Sequence, residues 1–237
     1  VPPLADPTTT APAEGLDLES PKPQVMHRAY VYVLDPTKAQ EQALESHCGA
    51  ARFAYNYMLA QVKANLDQRT AEKSYGITDA DLTPPMKWSS ISLNNAFNAC
   101  KDEVAPWNRG NSSWIYSYTM QDLAAALKAF SDSRKGKRAG KPAGFPTFHS
   151  RRSRKSFTIS GRDTKLLDTC HRVKLPIVGT IHTLESTRKL SRLIERGDAR
   201  ILRATVAFHR GRWQVSLLAE LPADGQQLPP APVRRGC

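Results

Sequence analysis

The alternation of apolar and polar residues changes period several times along this chain, and the changes divide it. His27 to Leu34 (HRAYVYVL) alternates and is rich in β-branched and aromatic residues, the pattern of a half-buried strand. Asp35-Pro36 follows as a cap and a first-turn proline, predicting a helix to about His47. Gly49 predicts a break, and Ala50 to about Leu66 a second helix, so the two have the outline of a helix-turn-helix unit. From Ser90 to Val104, Leu93, Ala96, Phe97, Cys100 and Val104 share one helical face, and Pro106 ends the run. From Ser117 to about Arg134, Leu123, Ala126, Leu127 and Phe130 repeat at helical spacing. These stripes are most simply core. The stretch from Arg69 to Trp88, with Gly76 and Pro84-Pro85, reads as a loop.

Beyond Arg134 the period returns to two. Strands are predicted at Phe157 to Ser160, Arg172 to Leu175 and Thr180 to Leu184, then a short helix from Thr187 to Arg196 ended by Gly197. Arg200 to Phe208 and Trp213 to Leu221 form a hairpin across His209-Arg210-Gly211-Arg212. Its inward faces are expected to be Leu202, Ala204, Val206 and Phe208 on one strand, and Trp213, Val215, Leu217 and Ala219 on the other. One strand, a helical block, then the remaining strands imply an α+β chain: a small β-barrel with an inserted helical lobe that begins with a helix-turn-helix-like pair. The expected division is a tail over 1–25, a first barrel strand over 26–35, the helical lobe over 36–135, a basic linker over 136–156, the rest of the barrel over 157–221 and an unstructured tail over 222–237. The first 25 residues hold six prolines, four acids and no aromatic residue, too little apolar surface to fold. Two readings stay open for them: a disordered tail, or sequence upstream of a start at Met26.

Charge sharpens the picture. With 237 residues and a net charge of +12, the chain calls for a polyanionic partner, nucleic acid or an anionic membrane surface. No apolar run approaches the roughly 18 residues of a membrane span, and no helix pairs a basic face with a wide, exposed apolar one. Nucleic acid is therefore the expected partner of a soluble, intracellular, basic protein. The four cysteines, Cys48, Cys100, Cys170 and Cys237, form no CxxC pair. His47-Cys48 and Cys170-His171 could meet as a zinc site, but adjacent side chains diverge and rarely both ligate one tetrahedral metal. Ordinary thiols, and no metal site, are expected.

Three segments together resemble the TnpB/OrfB family of transposon proteins, the ancestors of type V CRISPR nucleases. Tyr32-Val33-Leu34-Asp35-Pro36-Thr37, Gln40, Leu44 and Gly49-Ala50-Ala51-Arg52-Phe53-Ala54-Tyr55-Asn56 are similar to the family's opening strand and "aRfvyN" signature. Gly144-Phe145-Pro146-Thr147-Phe148-His149-Ser150-Arg151-Arg152, followed by Ser156-Phe157-Thr158, resembles its "G-[YF]-P-x-F-[KH]-S" block and basic tail. Val173-Lys174-Leu175-Pro176-Ile177-Val178-Gly179 and Gly211-Arg212-Trp213-Gln214-Val215-Ser216 resemble its "LPkiG" and "gRWyvs" strands. The resemblance implies a wedge (OB-like) barrel interrupted by a helical recognition lobe. It implies two partners, a structured guide RNA from the transposon end and double-stranded DNA read beside the target, with the oligomeric state left open. In the family an RNase-H-like domain follows the barrel, its carboxylates holding divalent metal (Mg) for phosphodiester cleavage. After Glu220 this sequence has only Asp224, so the expectation is a chain truncated before that domain, with no catalytic residue and no cofactor of its own. A free-standing, catalytically inactive DNA- or RNA-binding regulator is the alternative.

Within either reading the candidate contacts fall in four groups. Lys135, Lys137, Arg138, Lys141, Arg151, Arg152, Arg154 and Lys155, with Arg134, make nine cations and no acid between residues 134 and 155, suited to phosphate contacts. Phe145, Phe148 and Phe157 interleave with them, for base stacking or for core packing. Arg188, Lys189 and Arg192, with Arg196, form a basic face opposite Leu190, Leu193 and Ile194. Arg52, Tyr55 and Asn56 sit where a recognition helix would read base edges, or where they would pack and cap. Gln121 and Thr158 correspond, through the resemblance, to family positions near the target-adjacent DNA. His149, His182 and His209 have no partner pattern and read as structural.

Overall fold

In the computed structural model the described residues are 25–167 and 170–222. They form an α+β fold with four α-helices and one seven-stranded sheet, all of whose pairings are antiparallel. Strand β1 (Val25–Asp35) pairs along most of its length with β7 (Arg212–Pro222), and its last residues, Leu34 and Asp35, pair with β5 (Gly179–Thr183). On one side of β1 the order runs through β7 to β6 (Arg200–His209) and β2 (Ser156–Ser160). On the other side it runs through β5 to β4 (Arg172–Leu175) and β3 (Lys165–Leu166). The two edge strands, β2 and β3, are neighbours in sequence, joined by the 3-10 turn Gly161–Asp163, but among the described residues no ladder closes the circle. The expected closed barrel is therefore an open sheet. Val25 and Pro222, assigned to tails on composition, belong to paired strands. The rest of both expected tails, Asp224 and Cys237 included, lies outside the described residues.

The largest departure is at Gly49. Helix α1 (Lys38–Ser74) is one uninterrupted 37-residue helix, so no turn separates two helices there. A mid-helix glycine costs about 1 kcal/mol relative to alanine, and packing outweighs it. Leu44 and Cys48, before Gly49, lie in the core inside the sheet. Ala50, Ala54, Met58, Leu59 and Val62, after it, lie in the core of the helical lobe. Burial of Leu44, Met58, Leu59 and Val62 contributes about 1.5–3 kcal/mol each, so one rigid helix spans both cores. Its cap is Thr37 rather than Asp35: Thr37 Oγ1 accepts from the N–H of Gln40, and Gln40 Oε1 accepts from the N–H of Thr37, a capping box. Gln40 Nε2 also donates to the carbonyl of Thr180 at 2.7 Å, tying the helix start to β5. Helix α1 runs past Arg69, and Glu72 near its end accepts from the N–H and hydroxyl of Thr83, which shortens and anchors the expected loop.

Helix α2 (Ser90–Val104) matches its apolar stripe and is capped by Ser89. A 3-10 turn (Pro106–Gly110) leads to α3 (Trp114–Arg134), which begins three residues before the expected Ser117. Phe97, Tyr116, Met120, Leu123 and Leu127 fill the helical core with the second half of α1. Helix α4 (Arg188–Glu195) turns Leu190, Leu193 and Ile194 onto the sheet core, as its spacing predicts. In the β6–β7 hairpin, Trp213, Val215, Leu217 and Ala219 point inward as expected. On β6 a bulge between Ile201 and Arg203 makes Leu202 the extra residue. Ala204 and Val206 stay inside, Ile201 replaces Leu202 against the core, and Phe208 at the far end is exposed. No helix among the described residues is long and apolar enough to cross a membrane.

Candidate nucleic-acid interface

Helix α1, the segment before β2, and β2 itself converge on one polar cleft of about 210 Å³. Five of the residues expected to touch nucleic acid line it: Arg52 and Tyr55 from α1, Arg154 and Lys155 from the basic segment, and Thr158 from β2. Two of the motif blocks meet here. Asn56 Nδ2 donates to the carbonyl of His149 at 2.9 Å, and Asn56 Oδ1 accepts from the N–H of His149 at 2.8 Å. The Tyr55 ring stacks on the His149 imidazole with centroids 3.9 Å apart and planes 9° from parallel. Asn56 therefore commits its amide to the backbone of the arginine-bearing segment, acting as a clamp on that segment. Downstream, Ser150 and Ser153 close a turn through Ser153 Oγ, which accepts from the N–H of Ser150 at 2.9 Å, and the turn carries exposed Arg151 and Arg152.

Lys155 leaves the turn toward α1, pairing with Glu45 at 2.6 Å and placing its ammonium 5.6 Å from the centroid of Phe208. Thr158 shares a 3.0 Å hydrogen bond with Thr205 across the β2–β6 ladder. On the α3 wall of the cleft, desolvation raises the Asp122 carboxyl above the usual carboxylate range, partly offset by Arg203 and His149. Desolvation lowers His149, with Asp122 opposing, so the imidazole favours its neutral form. Burial pushes the Cys48 thiol up to about 12, which removes it as a nucleophile at neutral pH.

The other expected contacts are placed elsewhere. Lys135, Lys137, Arg138 and Lys141 are exposed between α3 and the clamped segment, among Gly136 and Gly140, both at positive φ. Gln121 is exposed on α3 in a separate shallow groove of about 460 Å³ with Trp88 and Lys128. Arg188, Lys189 and Arg192 are exposed on α4, outside the polar cleft. Of the interleaved phenylalanines, Phe157 is buried in the sheet core, Phe145 packs edge-on against Phe130, and Phe148 is half exposed with Lys63 over its ring. Reading the sequence alone left out Asp122 and treated His149 as isolated. No local signal marks either, because their partners lie in other segments.

The two histidines of the conceivable zinc pair, His47 and His171, are engaged with the protein's own backbone. His47 Nδ1 lies 2.7 Å from the Ala43 carbonyl, its Nε2 accepts from the N–H of Ser112, and His171 Nδ1 lies 3.2 Å from the carbonyl of Thr183. Among the described residues no group of three or more His, Cys, Asp or Glu is placed to hold an ion.

Comparison with known proteins agrees with the motif blocks. A helix-turn-helix domain model of the OrfB/IS605 type matches residues 26–70, which are β1 and most of α1. Two curated proteins of Mycobacterium tuberculosis, from strains CDC 1551 / Oshkosh and H37Rv, each named "Putative RNA-guided DNA endonuclease", are 30% identical over 193 residues. That alignment covers 80% of this chain and 41% of each relative, so the chain spans about two fifths of the length of the curated relatives it matches. With these matches and its three motif blocks, the chain belongs to the TnpB/OrfB family.

Proposed function

We propose that this chain is the nucleic-acid-binding portion of an RNA-guided DNA endonuclease, holding guide RNA and target DNA. The observation that carries the reading is the convergence of Arg52, Arg154 and Lys155 on one cleft beside exposed Arg151 and Arg152. Cations carried on an anchored backbone engage phosphates at a smaller ordering cost than the same cations on a free chain. In this reading the open sheet serves as the family's wedge barrel and α1 to α3 as its recognition lobe. The segment around residues 136–156 is the basic path between them. Gln121 and Thr158 approach target-adjacent DNA, and α4 contributes a second phosphate face through Arg188, Lys189 and Arg192. The place of action is the bacterial cytoplasm, at the nucleoid. Phosphodiester cleavage, with its divalent metal, belongs in this reading to the family's RNase-H-like domain.

Purifying the full chain from its host and sequencing the RNA that survives a high-salt wash tests this directly. One dominant structured RNA from a transposon end is the expected result. Heterogeneous RNA that washes away as salt rises would overturn guide recognition and leave only electrostatic binding.

A further inference from the structure

A second and larger cleft, of about 740 Å³, opens between the start of α3, the β2–β3 corner, α4 and the start of β6. None of the motif blocks accounts for it. Its size falls in the range of small-ligand sites, and its walls combine aromatic rings with cations. Trp114 and Tyr118, one helical turn apart on α3, line one side, with ring centroids 6.5 Å apart. Trp114 is 36% exposed, a large fraction for tryptophan, and its indole N–H donates to Asp163, which fixes the plane of the ring. Arg162 and Lys165 line the cleft, both exposed and in no ion pair with a described acid, while Arg200 pairs with Glu220. Among the described residues that line the cleft, Glu195 is the only acid.

The floor is built by two local irregularities. A Cβ on Gly161 would lie 2.2 Å from the carbonyl oxygen of Ile201, so only glycine lets the corner lie against the β6 bulge. That bulge turns Leu202 out of the sheet core and into the cleft. The turn bearing Arg162 is tied down on both sides. Ser160 Oγ accepts from the N–H of Arg162, and Thr164 Oγ1 donates to the carbonyl of Ser160.

We infer that this cleft takes an unpaired nucleotide, its base stacking on Trp114 and its phosphate meeting Arg162 and Lys165. The inference rests on the proposed nucleic-acid reading, because the two clefts are contiguous. Tyr118 lines both, and β2 lines the polar cleft through Thr158 and the aromatic one through Ser160. A strand held at Arg154 and Lys155 therefore has a base site one strand-length along β2. Base-on-aromatic stacking tolerates any base, since each has a π face. Ring and cations so placed favour an extended strand over a base-paired duplex, whose bases are already stacked.

The test uses the full chain and three probes: a labelled single-stranded RNA of about 16 nucleotides, a duplex DNA of the same length, and AMP. Single-strand binding is expected to quench tryptophan fluorescence, and Trp114→Leu to weaken it about tenfold, the range of one lost base stack, with duplex affinity unchanged. Trp114→Phe, which keeps a ring, restores most of the affinity. Arg162→Glu with Lys165→Glu, at exposed positions, weakens single-strand binding even if Trp114→Leu does not fold. Unchanged single-strand affinity in Trp114→Leu, or in the charge-reversed variant, overturns the inference while leaving the polar cleft's role intact. Tight AMP binding without strand binding overturns the strand assignment in favour of a free nucleotide. A wild-type chain that binds neither nucleic acid overturns both readings.

Discussion

The two halves of the basic segment have the same charge and different structures. Lys135, Lys137, Arg138 and Lys141 are four exposed cations carried by a backbone that turns at Gly136 and Gly140. Beyond the α3 cap, its fixed points are few, chiefly the N–H of Lys137 on the Asp132 carbonyl and Arg138 Nε on the Lys141 carbonyl. Arg151, Arg152, Arg154 and Lys155 are also four cations, but their segment is clamped by Asn56 at the His149 backbone, stacked by Tyr55 at the His149 ring and tethered by Glu45 at the Lys155 ammonium. Composition cannot distinguish the halves. The structure does: the clamped half carries its cations on an anchored backbone, the other half has fewer such anchors, and in both the long side chains order when they bind, at about 0.5–1.5 kcal/mol each.

The sharpest way to break this contrast is Asn56→Ala, which removes both amide bonds to His149 without touching a charge. It is expected to cost about 1–3 kcal/mol of stability and to lower the thermal midpoint by several degrees. Nucleic-acid affinity should fall in parallel. Unchanged affinity with the expected midpoint drop would mean that clamping is irrelevant to binding. Next in size is the effect of pH. Burial lowers the pKa of both His47 and His149 from 6.5. Above that value both are neutral folded and unfolded, and stability is full. As pH falls through 6.5 toward the folded values, the unfolded chain takes up protons first, so stability declines. Thermal midpoints should drop from pH 7 to pH 5, and His149→Gln should flatten part of that slope.

Smaller still is neutralisation of the less anchored half. Lys135→Gln, Lys137→Gln, Arg138→Gln and Lys141→Gln together should weaken duplex binding less than three neutralised arginines of the clamped turn, as read by fluorescence anisotropy. The smallest effect is Glu45→Gln. It releases Lys155 from a surface ion pair that contributes about 0.2–1 kcal/mol, so stability should barely change while affinity rises slightly.

Much of the fold could be read from the residues, because its stripes are local. The α2 boundaries, β4 and the inward set Trp213, Val215, Leu217 and Ala219 follow from period alone. Gly49 misled, since a glycine that looks like a turn is held in helix by Leu44 and Cys48 in one core and Ala50 and Ala54 in the other. That burial depends on distant strands and helices. Leu202 misled for a related reason: a bulge adds one residue and reverses the alternation, and nothing in ILRATV marks it. At the candidate interface, residue types were legible and their grouping was not. Arg52, Tyr55, Arg154 and Thr158 meet only because β2 docks beside α1, and the Asn56–His149 bond spans 93 residues. The cleft around Trp114 left no trace in sequence. Its ring comes from α3 and its glycine and cations from the β2–β3 corner, and neither segment forms a motif.

The most direct test of the central claim is the salt dependence of duplex DNA binding for the full chain against Arg151→Gln/Arg152→Gln/Arg154→Gln. Each phosphate contact contributes about 0.9 to the slope of log affinity against log salt. If the clamped turn grips phosphates, the slope should fall by about 2–3 in the triple variant while its thermal midpoint stays that of the wild type. An unchanged slope would contradict the account, placing the grip on DNA elsewhere on this surface.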